Sequence, residues 1–186
     1  MYANLAYADW HLPLSREAVT LREAAEALAQ VGAAPSDIPF VVRLAENPKF
    51  DLFHGAADLK THDYIHIVLG RGLLAKDEAF VIGFTMGSTH QLNLFEQALF
   101  GKVARHLYPG VYRFSAEDEK VFHDAARLGY ISDCAALNDV DYASKLDSTV
   151  GDIRRELRVD PDLLRAYFRI EARRFPQSKE SQRLLD

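Results

Sequence analysis

The chain has one cysteine, Cys134, so no internal disulfide can staple it, and a reducing setting is the default expectation. It has no basic surplus: 22 Lys and Arg against 27 Asp and Glu leave a formal charge of -5 and a pI near 5.8. Nothing is left over to neutralise a phosphate backbone, which sets nucleic-acid binding aside. No apolar run reaches the roughly 18 residues that a membrane-spanning helix needs. The run from Met1 to Trp10 has neither the basic start nor the long apolar stretch of a secretory signal. A cytoplasmic protein is expected, peripheral on a membrane at most. Repeats, low-complexity tracts and Gly/Ser-rich linkers are missing too, so residues 1–186 read as a single domain. What is present, 48% hydrophobic and 26% charged residues, belongs to a chain that folds.

The apolar positions follow helical spacing almost throughout. Ser15 opens a segment with Ala18, Val19, Leu21, Ala25, Leu28 and Val31 on one face, closed by Gly32 and Pro35. Ser36-Asp37 caps a second helix that stops at Asn47-Pro48. Asp58 or Thr61 starts a third, running through Leu69 to the Gly70-Arg71-Gly72 break, and a fourth spans Lys76 to about Gly87. Leu92 to Leu107 is helical and Pro109-Gly110 turns. Ser115 with Asp118 forms a capping box, Thr149 to Val159 is helical, and Asp160-Pro161 opens a last helix to Phe175. Val111-Tyr112-Arg113-Phe114 alternates like a strand but is too short to build a sheet. Residues 176–186 are polar and expected to fray. The fold class is all-α, a multi-helix bundle with an apolar groove beside a metal site.

That metal site is read from His62-Asp63-Tyr64-Ile65-His66 and Glu78. A helix advances about 100° per residue, which puts His62 and His66 one turn apart on nearly the same face and Asp63 about 60° from His66. Eleven residues separate His66 from Glu78, enough to end one helix, reverse at Gly70 and Gly72, and return a carboxylate on the next. Two imidazoles with one or two carboxylates suit zinc first, with iron, manganese or magnesium as alternatives. Two histidines at this spacing also occur on ordinary helices, one solvated and one bonded in the core. Here Ile65, Ile67, Val68, Leu69 and the almost unbroken apolar run after Glu78 surround them, and burial of such groups costs several kcal/mol unless they are paired or bind a cation.

The pattern His62-Asp63-x-x-His66-x11-Glu78 resembles the signature of the ubiquinone (coenzyme Q) biosynthesis protein four family. The stretch from Asp152 to Pro161 is similar to that family's closing helix and its proline exit, and the likeness runs from about Leu44 to Pro161. The resemblance is to bacterial-type members. It implies a helical fold and a divalent metal, usually zinc, held by His62, Asp63, His66 and Glu78. The implied substrate is a polyprenylated aromatic precursor of a quinone. The implied reaction is oxidative decarboxylation at ring carbon 1, alongside contact with other quinone-biosynthesis proteins.

An isoprenoid tail needs an apolar trough, and Phe80, Phe84, Met86 and Phe95 are its candidate walls, although core packing is the commoner fate of such residues. Gly83-x-x-x-Gly87 marks a strip of close approach, by a helix more readily than by a lipid. Arg71 and Lys76, between the two ligand-bearing helices, are candidates for holding an anionic head group. The alternative to an enzyme is a non-catalytic isoprenoid-binding scaffold organising a quinone-biosynthesis complex, with a homodimer as a further option. A phosphohydrolase of the His-Asp helical type would need an upstream histidine, for which His54 is the near candidate. His11, His90, His106 and His123 have no partner at ligand spacing, and Cys134 reads as a small buried residue.

Overall fold

Capping chemistry decides where the helices of this protein begin. The computed structural model describes residues 7–31, 59–91 and 114–185, which form seven α-helices and no strand. The fold is all-α, as the periodicity predicts. The expected helices at 36–47 and 92–107, the turn at Pro109-Gly110, the alternation at 111–113, and Phe95, His54 and His106 lie outside the described residues.

The first helix, α1 (Leu21–Val31), begins six residues later than the spacing from Ser15 predicts. Thr20 and Glu23 form a reciprocal capping box: the Thr20 amide donates to Glu23 Oε2 at 3.0 Å and the Glu23 amide to Thr20 Oγ1 at 3.2 Å. Residues before it bond elsewhere, with Val19 O accepting from the Val150 amide at 2.8 Å and Thr20 bridging Thr149. The segment 15–20 is therefore held against the start of a distant helix.

The next two helices carry the candidate site: α2 (Leu59–Leu69) and α3 (Ala75–Ser88). Nearly every residue of α3 is buried, in accord with its lack of a polar face in the sequence. Beside it lies α4 (Ala116–Ile131), opened by the Ser115–Asp118 capping box that the sequence predicts. Gly83 meets the Phe122 carbonyl and Gly87 meets that of Ala126, so the two helices run side by side in the same direction. The glycine strip on α3 is thus filled by a helix.

These contacts leave no room for a methyl group. A Cβ on Gly83 would sit 2.4 Å from the Phe122 backbone oxygen, and backbone cannot rotate away as a side chain can. Gly83→Ala gains up to about 1 kcal/mol in helix propensity, but overpacking costs about 1–3 kcal/mol or more. Chemical denaturation is expected to show a net loss of stability. A neutral or stabilising result would mean that the two helices do not pack this closely.

Three more helices complete the described fold: α5 (Val150–Glu156), α6 (Pro161–Arg174) and α7 (Lys179–Gln182). Thr149 caps α5 and Asp160 caps α6 at the positions expected; α5 ends early, where Arg158 takes a left-handed φ of 56°. Residues 176–185, whose polar composition suggests fraying, are held by specific bonds. Ser178 caps α7, Ser181 and Leu184 are buried, and Gln182 Nε2 donates to Ala172 O at 2.8 Å near the end of α6. Polar composition hides these anchors. Among the described residues no helix is long and apolar enough to cross a membrane.

Candidate metal centre

A helix end, a turn and a helix start build the site. Gly70 adopts φ 70°, its amide bonds to Ile67 O at 3.2 Å, and the Arg71 amide reaches back to His66 O at 3.0 Å. This six-to-one closure needs a left-handed residue, which glycine adopts without a Cβ penalty. Three residues after Arg71, the Leu74 amide donates to Asp77 Oδ2 at 3.1 Å and starts α3. Glu78 then falls in the first turn of α3, facing back to α2.

The end of α2 is also held from outside. Arg154 is buried and donates to Val68 O at 2.8 Å, Leu14 O at 2.9 Å and Ile67 O at 3.4 Å. Its guanidinium thus satisfies helix-terminal carbonyls that have no partner within α2, at the end where a cation is favoured. Burial lowers its pKa to about 10, still far above neutrality.

Three of the expected ligands converge. His62 Nε2 lies 2.9 Å from Glu78 Oε2, His66 Nε2 lies 3.3 Å from Glu78 Oε1, and the two Nε2 atoms are 3.0 Å apart. The rings meet edge to face at 75°. The His66 side chain has no solvent exposure, Glu78 keeps 11% and His62 17%, so the cluster opens toward solvent on the His62 side.

The tautomer of His66 follows from its anchor. His66 Nδ1 is 2.6 Å from the Gly72 carbonyl oxygen, which can only accept, so Nδ1 carries the proton. A neutral His66 therefore presents its Nε2 lone pair to the cluster. One proton on His62 Nε2 can serve Glu78 Oε2, but His66 Nε2 and Glu78 Oε1 then face each other as two acceptors. A further positive charge is required, either a proton or a cation.

The electrostatics agree. Burial alone would raise the Glu78 carboxyl, but His66 and His62, by charge and hydrogen bond, hold it well below the ordinary range. Burial disfavours the imidazolium of His66, yet Glu78 and, more weakly, Asp63 and Asp77 raise its pKa. The donor set also fits a metal in size. Zinc with N and O ligands at about 2.0–2.2 Å in tetrahedral array sets neighbouring ligand atoms about 3.3–3.6 Å apart, slightly wider than the 2.9, 3.0 and 3.3 Å found here, so a small outward shift of the three side chains would admit the ion. His62, His66 and Glu78 could hold a metal ion; among the described residues no other group of His, Cys, Asp and Glu is so arranged.

The remaining predicted site residues are placed differently. Asp63 is half-buried on α2 and is not one of the converging three, although its charge reaches His66. Arg71, expected on an open loop, is fully buried. Its Nη1 and Nη2 donate to Glu171 at 3.2 and 2.5 Å, and its plane lies 4.0 Å from the Phe80 ring centre. Lys76 is buried as well, paired with Glu117 at 2.8 Å and 4.3 Å from the ring centre of Phe175. Both cations expected to await a head group are engaged inside the protein. Phe80, Phe84 and Met86 are core residues, Phe80 packing on Tyr167 and Phe168, and no apolar groove appears among the described residues.

The residues that support the site are paired across long stretches of sequence and leave little trace in its local pattern. Asp77 pairs with Arg183 and lies 3.8 Å from Arg71, while Ser181 Oγ donates to Glu171 Oε1 at 2.9 Å. One signal was present: Leu164, Tyr167, Phe168, Glu171 and Ala172 form the buried stripe of α6, and a carboxylate on such a stripe calls for a buried partner. Comparison with family models, with curated proteins and with solved structures finds no match to this chain.

Proposed function

We propose that the chain is a metal protein of prenylquinone biosynthesis that binds a polyprenylated aromatic precursor and promotes oxidative decarboxylation at ring carbon 1. His62, His66 and Glu78 would hold a divalent metal, zinc first, with Asp63, the fourth expected ligand, acting on His66 by charge. The observation that carries the metal reading is the buried convergence of His62 Nε2, His66 Nε2 and the Glu78 carboxylate, with a further positive charge needed between His66 Nε2 and Glu78 Oε1 that a metal ion would supply in place of a proton. The quinone assignment rests on the likeness of the His-Asp-x-x-His-x11-Glu pattern.

A metal there would polarise a carboxylate or phenolate oxygen of the aromatic acid. The chain itself contributes the rest. Gly72 O fixes the His66 ring, burial keeps water from one side, and the partly exposed His62 edge is where a substrate would approach.

Elemental mass spectrometry of protein purified without chelator, with lipid extraction of the same sample, tests this reading. Near-stoichiometric zinc, iron or manganese is expected in the wild type and a loss of at least about tenfold in His66→Ala, since a ligand contributes more than the 10–100-fold of an outer partner. An isoprenoid aromatic acid in the extract would support the substrate class. A wild type that stays metal-free after reloading ends the metal reading, and metal without any isoprenoid leaves the quinone assignment without support. Membrane association is expected to be peripheral, and recovery entirely in the supernatant after gentle lysis would count against it.

A further inference from the structure

We infer that Arg183, near the end of the described chain, is a positioning residue for the metal centre, fixing both ligand-bearing helices through one guanidinium; this rests on the metal reading above. Arg183 Nη2 bonds to Asp77, the residue before Glu78, and Nη1 donates to the Ala8 carbonyl. The same group lies against the Gly72 Cα so closely that a Cβ there would fall 2.6 Å from Arg183 Cζ. Gly72 is the residue whose carbonyl anchors His66 Nδ1 at 2.6 Å.

One planar group therefore touches the peptide that orients His66 and the carboxylate that starts α3 and so sets Glu78. Asp77 Oδ2 also accepts from the Leu74 amide, so releasing Arg183 frees the carboxylate that caps α3. Arg183 is held in place in turn. The Ser178 cap forms α7, and Ser181 and Leu184 on either side are buried. The fork geometry of a guanidinium lets it serve Asp77 and Ala8 O together, which an ammonium at the same place does less well. No atom of Arg183 meets the metal ligands, so its effect reaches them through Gly72 and Asp77.

Two readouts test this in the full chain. Zinc affinity, measured by competition with a chromophoric chelator, is expected to fall roughly 10–100-fold in Arg183→Ala, the range for residues that orient ligands from outside. In metal-free protein the downfield His66 Nδ1–H resonance is expected to shift or broaden. Asp160→Ala, which removes the α6 cap away from the site, supplies a control for lost stability and should change neither readout. If Arg183→Ala does not fold, Arg183→Lys keeps the charge and is expected to lose less affinity while still moving the His66 signal. Wild-type affinity and an unmoved His66 resonance in the folded variant would overturn the inference, as would equal effects from Asp160→Ala. Should the wild type bind no metal, the metal reading fails by itself, and the His66 resonance in the metal-free protein still decides the role of Arg183.

Discussion

Glu171→Leu is expected to destabilise the protein by about 3–5 kcal/mol, the range for removing one partner of a buried ion pair, whereas Arg71→Met combined with Glu171→Leu should recover most of that loss. Both side chains have no solvent exposure, and the pair closes through two hydrogen bonds of 3.2 and 2.5 Å. Deleting the carboxylate leaves Arg71 in an interior where its nearest other anion, Asp77, lies 3.8 Å away and is already bonded to Arg183. The aromatic faces of Phe80 and Phe168, at 4.0 and 4.7 Å from Arg71 Cζ, offset only part of this. Removing both charges exchanges an ion pair for apolar side chains of similar length, which is often neutral or stabilising. Urea denaturation of the single and double variants measures the coupling. Additive losses in the double variant would show that Arg71 does not depend on Glu171.

The same pair shows where the sequence could be read and where it could not. Helix starts set by local chemistry were legible, because Ser115 with Asp118 and Asp160 with Pro161 act within one turn. Gly70 as a stop was legible for the same reason. The true start of α1 was present too, in Thr20 and Glu23, but apolar spacing from Ser15 competed with it, and pairing of Val19 with Val150 decided the outcome. Partners far apart in sequence left no such trace. Arg71 meets Glu171 and Arg154 meets Val68 only after folding, so each reads as an ordinary surface cation until its burial is known.

Within the candidate site, His62, His66 and Glu78 were legible because two spacings, one helical turn and one helix reversal, force them together. Asp63 was not resolved by spacing, since an offset of about 60° permits a side chain to turn toward the cluster or away. The lipid-facing residues fared worse. Phe80, Phe84 and Met86 are buried in the core, Phe80 against Tyr167 and Phe168 of α6, and composition alone does not separate a core wall from a ligand wall. The order of the tail is not legible, because its anchors are polar: Ser178 caps α7, and Ser181 and Arg183 bond inward to Glu171 and Asp77 only on folding.

Glu78→Gln should separate the role of the cluster in stability from its role in metal binding. The amide keeps the shape of the carboxylate and adds an N–H that can donate to His66 Nε2, the acceptor now 3.3 Å from Glu78 Oε1. Replacing a charged contact by a neutral hydrogen bond at the same place should change metal-free stability by only about 1 kcal/mol. Metal binding should respond far more, because an amide oxygen carries no net charge to balance a divalent ion. At a free zinc concentration about 1,000 times the wild-type dissociation constant, binding stabilises the wild type by about 4.1 kcal/mol. A hundredfold loss of affinity lowers that to about 1.4 kcal/mol, a difference of several degrees in Tm for a chain of this size. Thermal unfolding with chelator and then with zinc gives both numbers for each protein. Equal zinc stabilisation of wild type and variant would remove Glu78 from the ligand set, while a large loss already in chelator would mean that the Glu78 charge beside a protonated His66 contributes more than a neutral hydrogen bond replaces.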